Sequence, residues 1–242
     1  MAANRTAIVT GAGKRVGRHI AEQLLAKGWT VIAHVHGPAD EVPAGAVRVV
    51  ADLAEPDCGT TVMAAAKGLP PVTLLINNAA RFAHDTLDSF SPEEFDAHMA
   101  VNVRAPALLI AAFARLGGED RSVVNLLDAK LAAPNPDFLS YTLSKAALAS
   151  LTELAARALA PKRIRVNAIA PALMLHSAGQ SAENFRLAHV FNPLARGVEP
   201  ADVVAAIQFC LDSPVLTGEV LTLDGGQRFW SLDRDVQFLD FE

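Results

Sequence analysis

The stretch Thr6–Gly28, TAIVTGAGKRVGRHIAEQLLAKG, decides the fold. Thr6 to Val9 is an apolar run of strand length, and Val16, Ile20, Leu24 and Leu25 then keep helical spacing until Gly28 stops the helix. Between the two, Gly11 and Gly13 permit a tight approach of the backbone, and Gly17 lets the helix sit close to the sheet. Strand, glycine turn and helix in that order aim backbone N–H groups at an anion.

The same alternation continues to the other end of the chain. Trp29–Val35, Ala46–Val50, Val72–Ile76, Val123–Leu127, Ile164–Ile169 and Glu219–Leu223 read as strands. Helices are expected at 55–67, 91–116, 138–160 and 199–211. Ser91, Pro92 and Glu94 have a capping-box layout, after which Phe95, Met99, Val103 and Leu108 should face inward and Pro106 should kink the helix. Such alternation predicts an α/β fold: one domain over 1–242, a doubly wound parallel sheet of about seven strands, and helices on both faces. Ligands of such sheets bind outside the carboxyl ends of the strands, where Gly11 to Gly17, His36, Asp52, Asn78, Asp128 and Pro171 all fall. Segment 175–198 has weak periodicity and reads as a flap over that rim. The tail, 227–242, carries Phe229, Trp230, Phe238 and Phe241 among charges, which suggests packing on a partner subunit or on the flap.

With 242 residues, 51% of them hydrophobic, the chain can bury one large core. A net charge of −5 argues against a nucleic-acid footprint. Cys58 and Cys210 lack metal or redox spacing and fit a reducing, cytoplasmic setting. No His, Cys, Asp or Glu cluster has the spacing of metal ligands, so no metal is expected. The first residues lack a long apolar segment, and no run reaches the roughly 20 apolar residues a membrane helix needs.

The chemistry concentrates around the fifth strand and the helix after it. That strand ends in an acid, Asp128, and the helix opens with Tyr141 and Lys145. Four residues apart on a helix, phenol and ammonium share a face, and the cation is expected to lower the phenol from its ordinary value of about 10. Tyr141 then reads as a tuned general acid. At the end of the second strand, dinucleotide folds that bind NAD carry an acid for the ribose hydroxyls. This chain has His34 and His36 there, with Lys14 and Arg15 nearby, which favours NADP(H).

Taken together, Thr10-Gly11 with Gly17, Asn77-Asn78-Ala79, Asn102, Tyr141-x-x-x-Lys145 and the Pro171 turn resemble the short-chain dehydrogenases/reductases over nearly the whole chain. Two departures from that family's usual pattern stand out: Arg15 replaces the middle glycine, and Asp128 replaces the expected catalytic serine. Both are similar to the pteridine reductase and dihydromonapterin reductase-like branch, as is Phe82 after the Asn-Asn-Ala turn. Ala80 and Arg81 differ from the trypanosomatid members of that branch.

The resemblance implies a Rossmann-fold homotetramer built on helices 91–116 and 138–160. It implies NADPH held by Gly11, Gly13, Lys14, Arg15, Val16, Gly17, His34, His36, Asp52, Leu53, Asn78, Ala79, Ala80, Tyr141, Lys145, Pro171 and Leu173. Lys145 would hold the nicotinamide ribose and Asn102 a proton relay, with Asp128 and Tyr141 catalytic. A pterin or folate-like substrate would meet Arg15, Phe82, Asp128, Tyr141 and Leu173, Phe82 stacking on its ring. The alternatives are a reductase of a ketone or 3-oxoacyl group and a non-catalytic NADP(H)-binding sensor. Ser144, His98, His176 and His189 are expected at the surface or in packing.

Overall fold

The computed structural model describes residues 5–177 and 179–241. Residues 1–4 and 242, counted above in the domain and the tail, and Ala178 of the expected flap lie outside the described residues. The chain runs β1 (Thr6–Val9), α1 (Arg15–Ala26), β2 (Thr30–Val35), β3 (Val47–Val50), α2 (Cys58–Ala64), β4 (Val72–Asn77) and α3 (Pro92–Met99). A π-turn (Ala100–Arg104) leads into α4 (Ala105–Phe113), followed by β5 (Arg121–Leu126), α5 (Leu139–Leu159), β6 (Ile164–Pro171), α6 (Ala182–His189), α7 (Pro200–Asp212) and β7 (Val220–Leu223).

All strands pair in parallel in the order β3-β2-β1-β4-β5-β6-β7. Consecutive residues of a strand point to opposite faces, so both faces must be apolar when helices cover both. Ile8, Leu75 and Val123 accordingly pack with Leu109, Phe113 and Ala155 on one side. Val9, Ile76 and Val124 pack with Ile20, Val203 and Ile207 on the other. The order of winding reverses between β1 and β4, which opens a crevice at their carboxyl ends. No helix among the described residues is long and apolar enough to cross a membrane.

Several expected elements differ in extent, for local reasons. Helix α2 is shorter than 55–67: Pro56 lies ahead of its start, and from Ala65 to Lys67 the backbone N–H groups bond three residues back rather than four, which tightens the chain out of the α-helix. The capping box at Ser91 is half formed. Ser91 Oγ accepts the Glu94 N–H at 3.3 Å, but the Glu94 carboxylate is engaged by Arg81 at 2.6 Å. The break before α4 falls a turn earlier than Pro106, because its ring lacks an N–H and crowds the carbonyl of Asn102 four residues back. The inward face is already offset in α3, before the π-turn, where His98 points inward to accept the Ala83 N–H. His98, Asn102, Leu109, Ile110 and Phe113 are among the buried residues, while Phe95, Met99, Val103 and Leu108 are only half-buried. Segment 175–198, irregular by its pattern, contains α6, whose N-cap Ser181 accepts the Asn184 N–H at 3.0 Å.

A polar ladder fastens α5 to the sheet. Asn77 Nδ2 donates to Asn125 Oδ1 at 2.8 Å, Asn125 Nδ2 to Thr152 Oγ1 at 2.9 Å, and Thr152 Oγ1 to the Leu148 carbonyl at 2.9 Å. All three side chains are buried. Replacing Asn125 with alanine strands the Asn77 amide. Asn125→Ala should therefore lower the unfolding free energy by about 2 kcal/mol, read from urea denaturation; a midpoint and slope equal to the parent's would reject the ladder as a stabilising link.

Candidate active site

The glycine turn is shaped by β1, β4 and their first neighbours. Gly11 has φ +65°, and Asn78 Nδ2 donates to the Thr10 carbonyl at 2.8 Å and the Gly11 carbonyl at 3.4 Å. Thr10 Oγ1 accepts the N–H groups of Asn78 and Ala79 at 2.9 and 3.0 Å. A Cβ on Gly17 would collide with the Gly11 carbonyl oxygen and the Asn78 amide, so only glycine permits this approach. The first turn of α1 holds no acidic side chain, and its N-cap, Lys14, makes no side-chain cap bond. Its leading N–H groups and dipole are therefore free to meet a pyrophosphate, and the expected dinucleotide fits.

Some residues expected to touch that cofactor do other work here. His34 is buried, with Nδ1 accepting the Gly11 N–H at 3.2 Å and Nε2 3.0 Å from the Ala51 carbonyl oxygen. Burial depresses its pKa, so it props the loop from beneath rather than offering a cation to a phosphate. Among the residues at the end of β2, His36 is exposed, 3.9 Å from Asp52, and Arg48 bonds the Gly37 and Pro38 carbonyls. Arg48 was not among the expected residues; its arrival at that strand end depends on the parallel pairing of β2 with β3.

Arg15, with φ +52°, sends its guanidinium across the crevice to the carbonyl of His176 at 2.9 Å and of Leu175 at 3.4 Å. It thus ties the glycine turn to segment 175–198, where a phosphate contact was expected. Leu53 is buried in the core, Asp52 Oδ1 accepts the Ala54 N–H at 2.8 Å, and Ala80 follows the Asn78–Ala79 turn. Val16 and Gly17 lie in the first turn of α1, Gly13 just before it, Pro171 ends β6, and Leu173 lines the cavity described next.

Beyond the crevice, a cavity of about 100 Å³ is lined by Phe82, Asp128, Phe138, Tyr141, Leu173 and residues of the tail. Tyr141 donates to Asp128 Oδ2 at 3.0 Å, and the other carboxylate oxygen accepts the Lys130 N–H at 2.9 Å. Burial pushes the Asp128 carboxyl above its ordinary range, against the pull of those two bonds. Burial also holds the Tyr141 phenol well above 10, reinforced by Asp128. This corrects the expectation that Lys145 lowers the phenol. The Lys145 ammonium turns to the Leu126 carbonyl at 2.6 Å and lies 5.6 Å from the centre of the phenol ring. Its own pKa falls to about 8 through burial, opposed by Asp128.

Asn102 sits in the π-turn, accepts the Arg81 N–H at 2.8 Å, and donates to the Arg81 carbonyl and to Ser144 Oγ, each at 2.9 Å. Ser144 is therefore the link between Asn102 and the Tyr141 carbonyl, which it reaches at 2.7 Å. Phe82 is half exposed, stacks on Phe138 with centroids 4.4 Å apart, and meets the edge of Tyr141 at 4.7 Å. His98 is buried and accepts the Ala83 N–H at 3.3 Å; His176 and His189 both pack against Phe185.

Two carboxylates position the start of α5 without having been apparent in the sequence. Phe138, at its N-cap, is left-handed with φ 56° and offers no side-chain cap, so Asp85 from the loop after β4 takes the Ser140 N–H at 3.0 Å. Asp137, with its side chain 2% exposed, accepts Arg234 Nε at 2.8 Å, Arg234 Nη2 at 3.0 Å and the Asp235 N–H at 2.8 Å. The tail also meets segment 175–198, where Asn184 donates to the Leu239 carbonyl at 3.1 Å and Phe191 meets Phe241 at 5.2 Å. Packing on that segment was one of the two placements expected, beside a partner subunit, whereas docking on Asp137 depends on a contact 97 residues apart in sequence.

A family model described as enoyl-(acyl carrier protein) reductase matches residues 11–228. The L-xylulose reductase of Bos taurus is 33% identical over 239 residues, covering 93% of this chain and 96% of the relative. Pteridine reductase 1 of Leishmania tarentolae is 31% identical over 279 residues, with coverages of 91% and 95%. The crystal structure of alternative dihydrofolate reductase 1 from Brucella suis in complex with NADP superposes with a TM-score of 0.89 at 36% identity, covering 95% of this chain and 97% of that one.

The bonds to Arg234 and Asp235 bring the Asp137 pKa down from 3.8 to about 2, overcoming the cost of its burial. A carboxylate depressed in the folded state stabilises the fold above its unfolded value and loses that contribution as pH falls through the folded one. Asp137→Asn should therefore melt below the parent protein at pH 7, and the gap should close as pH falls from 3.8 to about 2. Melting curves by circular dichroism check this; a gap independent of pH would assign the loss to something other than charge.

Proposed function

Because the chain belongs to the short-chain dehydrogenase/reductase superfamily, within the family described as enoyl-(acyl carrier protein) reductase, we propose that it uses NADPH to reduce the C=N bond of a dihydropterin to the tetrahydro form. The observation that carries this reading is the carboxyl of Asp128 against the Tyr141 hydroxyl, 3.0 Å apart in a buried site. The relatives named for pteridine and dihydrofolate reduction support it.

The turn from Gly11 to Gly17 would take the pyrophosphate, with Lys14, His36 and Arg48 placed for a 2′-phosphate and Lys145 for the nicotinamide ribose. Asn78, Ala79, Ala80, Asp52, Leu53, Pro171 and Leu173 complete the bed. When bound, the cofactor supplies a hydride. This chain's residues supply the proton and the fit. Saturating C=N needs one proton on the ring nitrogen, and a carboxyl that holds its proton to unusually high pH can provide it through Tyr141. Phe82, stacked on Phe138 and half exposed, offers a ring face to a flat heteroaromatic substrate. Asn102 and Ser144 hold the first turn of α5, and with it Tyr141, against the loop that carries Phe82. That fixed separation is what a proximity effect requires.

A second reading, reduction of a sugar carbonyl, draws on the L-xylulose reductase relatives. A developing alkoxide favours a donor that stays neutral throughout, as a serine hydroxyl does and a carboxyl that has lost its proton does not. Asp128→Ser separates the two. It should cut turnover of 7,8-dihydrobiopterin, dihydromonapterin or dihydrofolate by about 100-fold, while a ketone reductase would keep or gain activity. With the parent enzyme, pterin turnover should fall as pH rises through the elevated Asp128 pKa, since the acid form is the one that donates, and Asp128→Ser should lack that limb. NADPH oxidation at 340 nm measures both. A flat trace with all three pterins beside brisk turnover of a ketose or 3-oxoacyl thioester would sink the pterin reading.

A further inference from the structure

A substantial part of the cavity wall beside Asp128 and Tyr141 does not come from the sheet rim. It comes from the tail: Arg228, Trp230, Leu232, Asp235, Val236 and Gln237 all line it. Opposite them lie Phe82, Phe138 and Leu173. Two ionic attachments hold the tail in this place. Arg234 grips Asp137 with both Nε and Nη2, and Lys130 spans from the Asp137 carbonyl at 2.6 Å to Asp235 Oδ2 at 3.0 Å. Both Lys130 and Asp137 are withdrawn from water, with side chains 8% and 2% exposed. Paired charges so placed fix geometry more firmly than surface pairs.

An aromatic attachment runs alongside. Phe238 stacks on Phe138 with centroids 5.8 Å apart and meets the edge of His84 at 5.0 Å. Phe138 carries Phe82 on its ring as well, so the tail and the expected substrate platform share one support. At its far end the tail is pinned to segment 175–198 by Asn184 and Phe191. It therefore spans the cavity from the start of α5 to the flap segment.

We infer that residues 228–238 form the subsite for the part of the substrate that points away from the reacting bond, and that Asp137 and Arg234 are positioning residues that set substrate selectivity by holding this wall. The inference rests on the Asp128–Tyr141 cavity being the substrate site. It does not depend on the substrate being a pterin. The wall mixes apolar faces with charges already matched inside the protein, Arg228 to Asp224 at 2.6 Å and Lys130 to Asp235. Moving it enlarges or reshapes the cavity while leaving the Tyr141–Asp128 bond and the glycine turn in place.

Arg234→Gln breaks the ionic attachment at a largely exposed side chain, and Phe238→Ala breaks the aromatic one, so neither variant threatens the core. In the full-length protein each should raise KM for the turned-over substrate about tenfold with kcat within about twofold. NADPH affinity, read by nicotinamide fluorescence, should not change, and Arg234→Lys should recover part of the KM loss because it restores the charge without the fork. An unchanged KM in both variants would overturn the inference, as would a KM that rises only in step with weakened NADPH binding. If the parent protein reduces a ketose and no pterin, the pterin reading fails alone, and the same comparison on the ketose still decides the role of the tail.

Discussion

Everything at the rim depends on how α5 is held against β5. Apolar packing alone would let a helix with so many alanines slide, because small side chains make shallow ridges. Polar bonds of fixed length prevent this: the Asn77–Asn125–Thr152 ladder at mid-helix, and the Lys145 ammonium on the carbonyl of Leu126, the last residue of β5. With those two points set, Tyr141 one turn earlier can only face Asp128, two residues beyond that carbonyl. The geometry of the candidate site is thus a by-product of strand–helix attachment, and the buried donors would be costly to leave without acceptors.

Burial gives this arrangement its acid–base character. Withdrawing Asp128, Tyr141 and Lys145 from water penalises every charged form, so the carboxyl and phenol rise while the ammonium falls to about 8. The carboxyl and the ammonium, an anion and a cation in solution, are drawn towards closer proton affinity, while the phenol moves further from ionising. That suits a reaction in which a proton must be delivered to a weakly basic nitrogen.

Much of this was legible in the sequence. The 23 residues from Thr6 to Gly28 announce the strand–turn–helix unit, and the all-parallel sheet follows from the alternation after it. Tyr141, Lys145 and Asp128 could be found because helical spacing and strand ends are local properties. What escaped were contacts between segments far apart in the chain. Asp85 capping α5, Asp137 holding Arg234 and Arg48 reaching the end of β2 are set by topology, and no periodicity encodes them. The roles of Arg15 and His34 were also out of reach: the residue type suggested a charge for a phosphate, while the bonds found go to backbone groups of this chain. The inward face of α3 and α4 was misplaced because polar residues, His98 and Asn102, occupy it to bond the backbone of the loop at Arg81 and Ala83, which an apolar count cannot foresee.

Phe138 shows how tightly two demands can meet at one position. Its backbone is left-handed, a conformation that suits glycine or asparagine and strains a bulky residue by about 1 kcal/mol or more. Its ring carries Phe82, Phe238 and the edge of His84. No replacement satisfies both requirements, since the residues that relax the backbone have no ring and those with a ring keep the strain. Drift at this site is therefore closed off, and lineages or engineers seeking a new specificity have an easier route through the neighbours that merely lean on it.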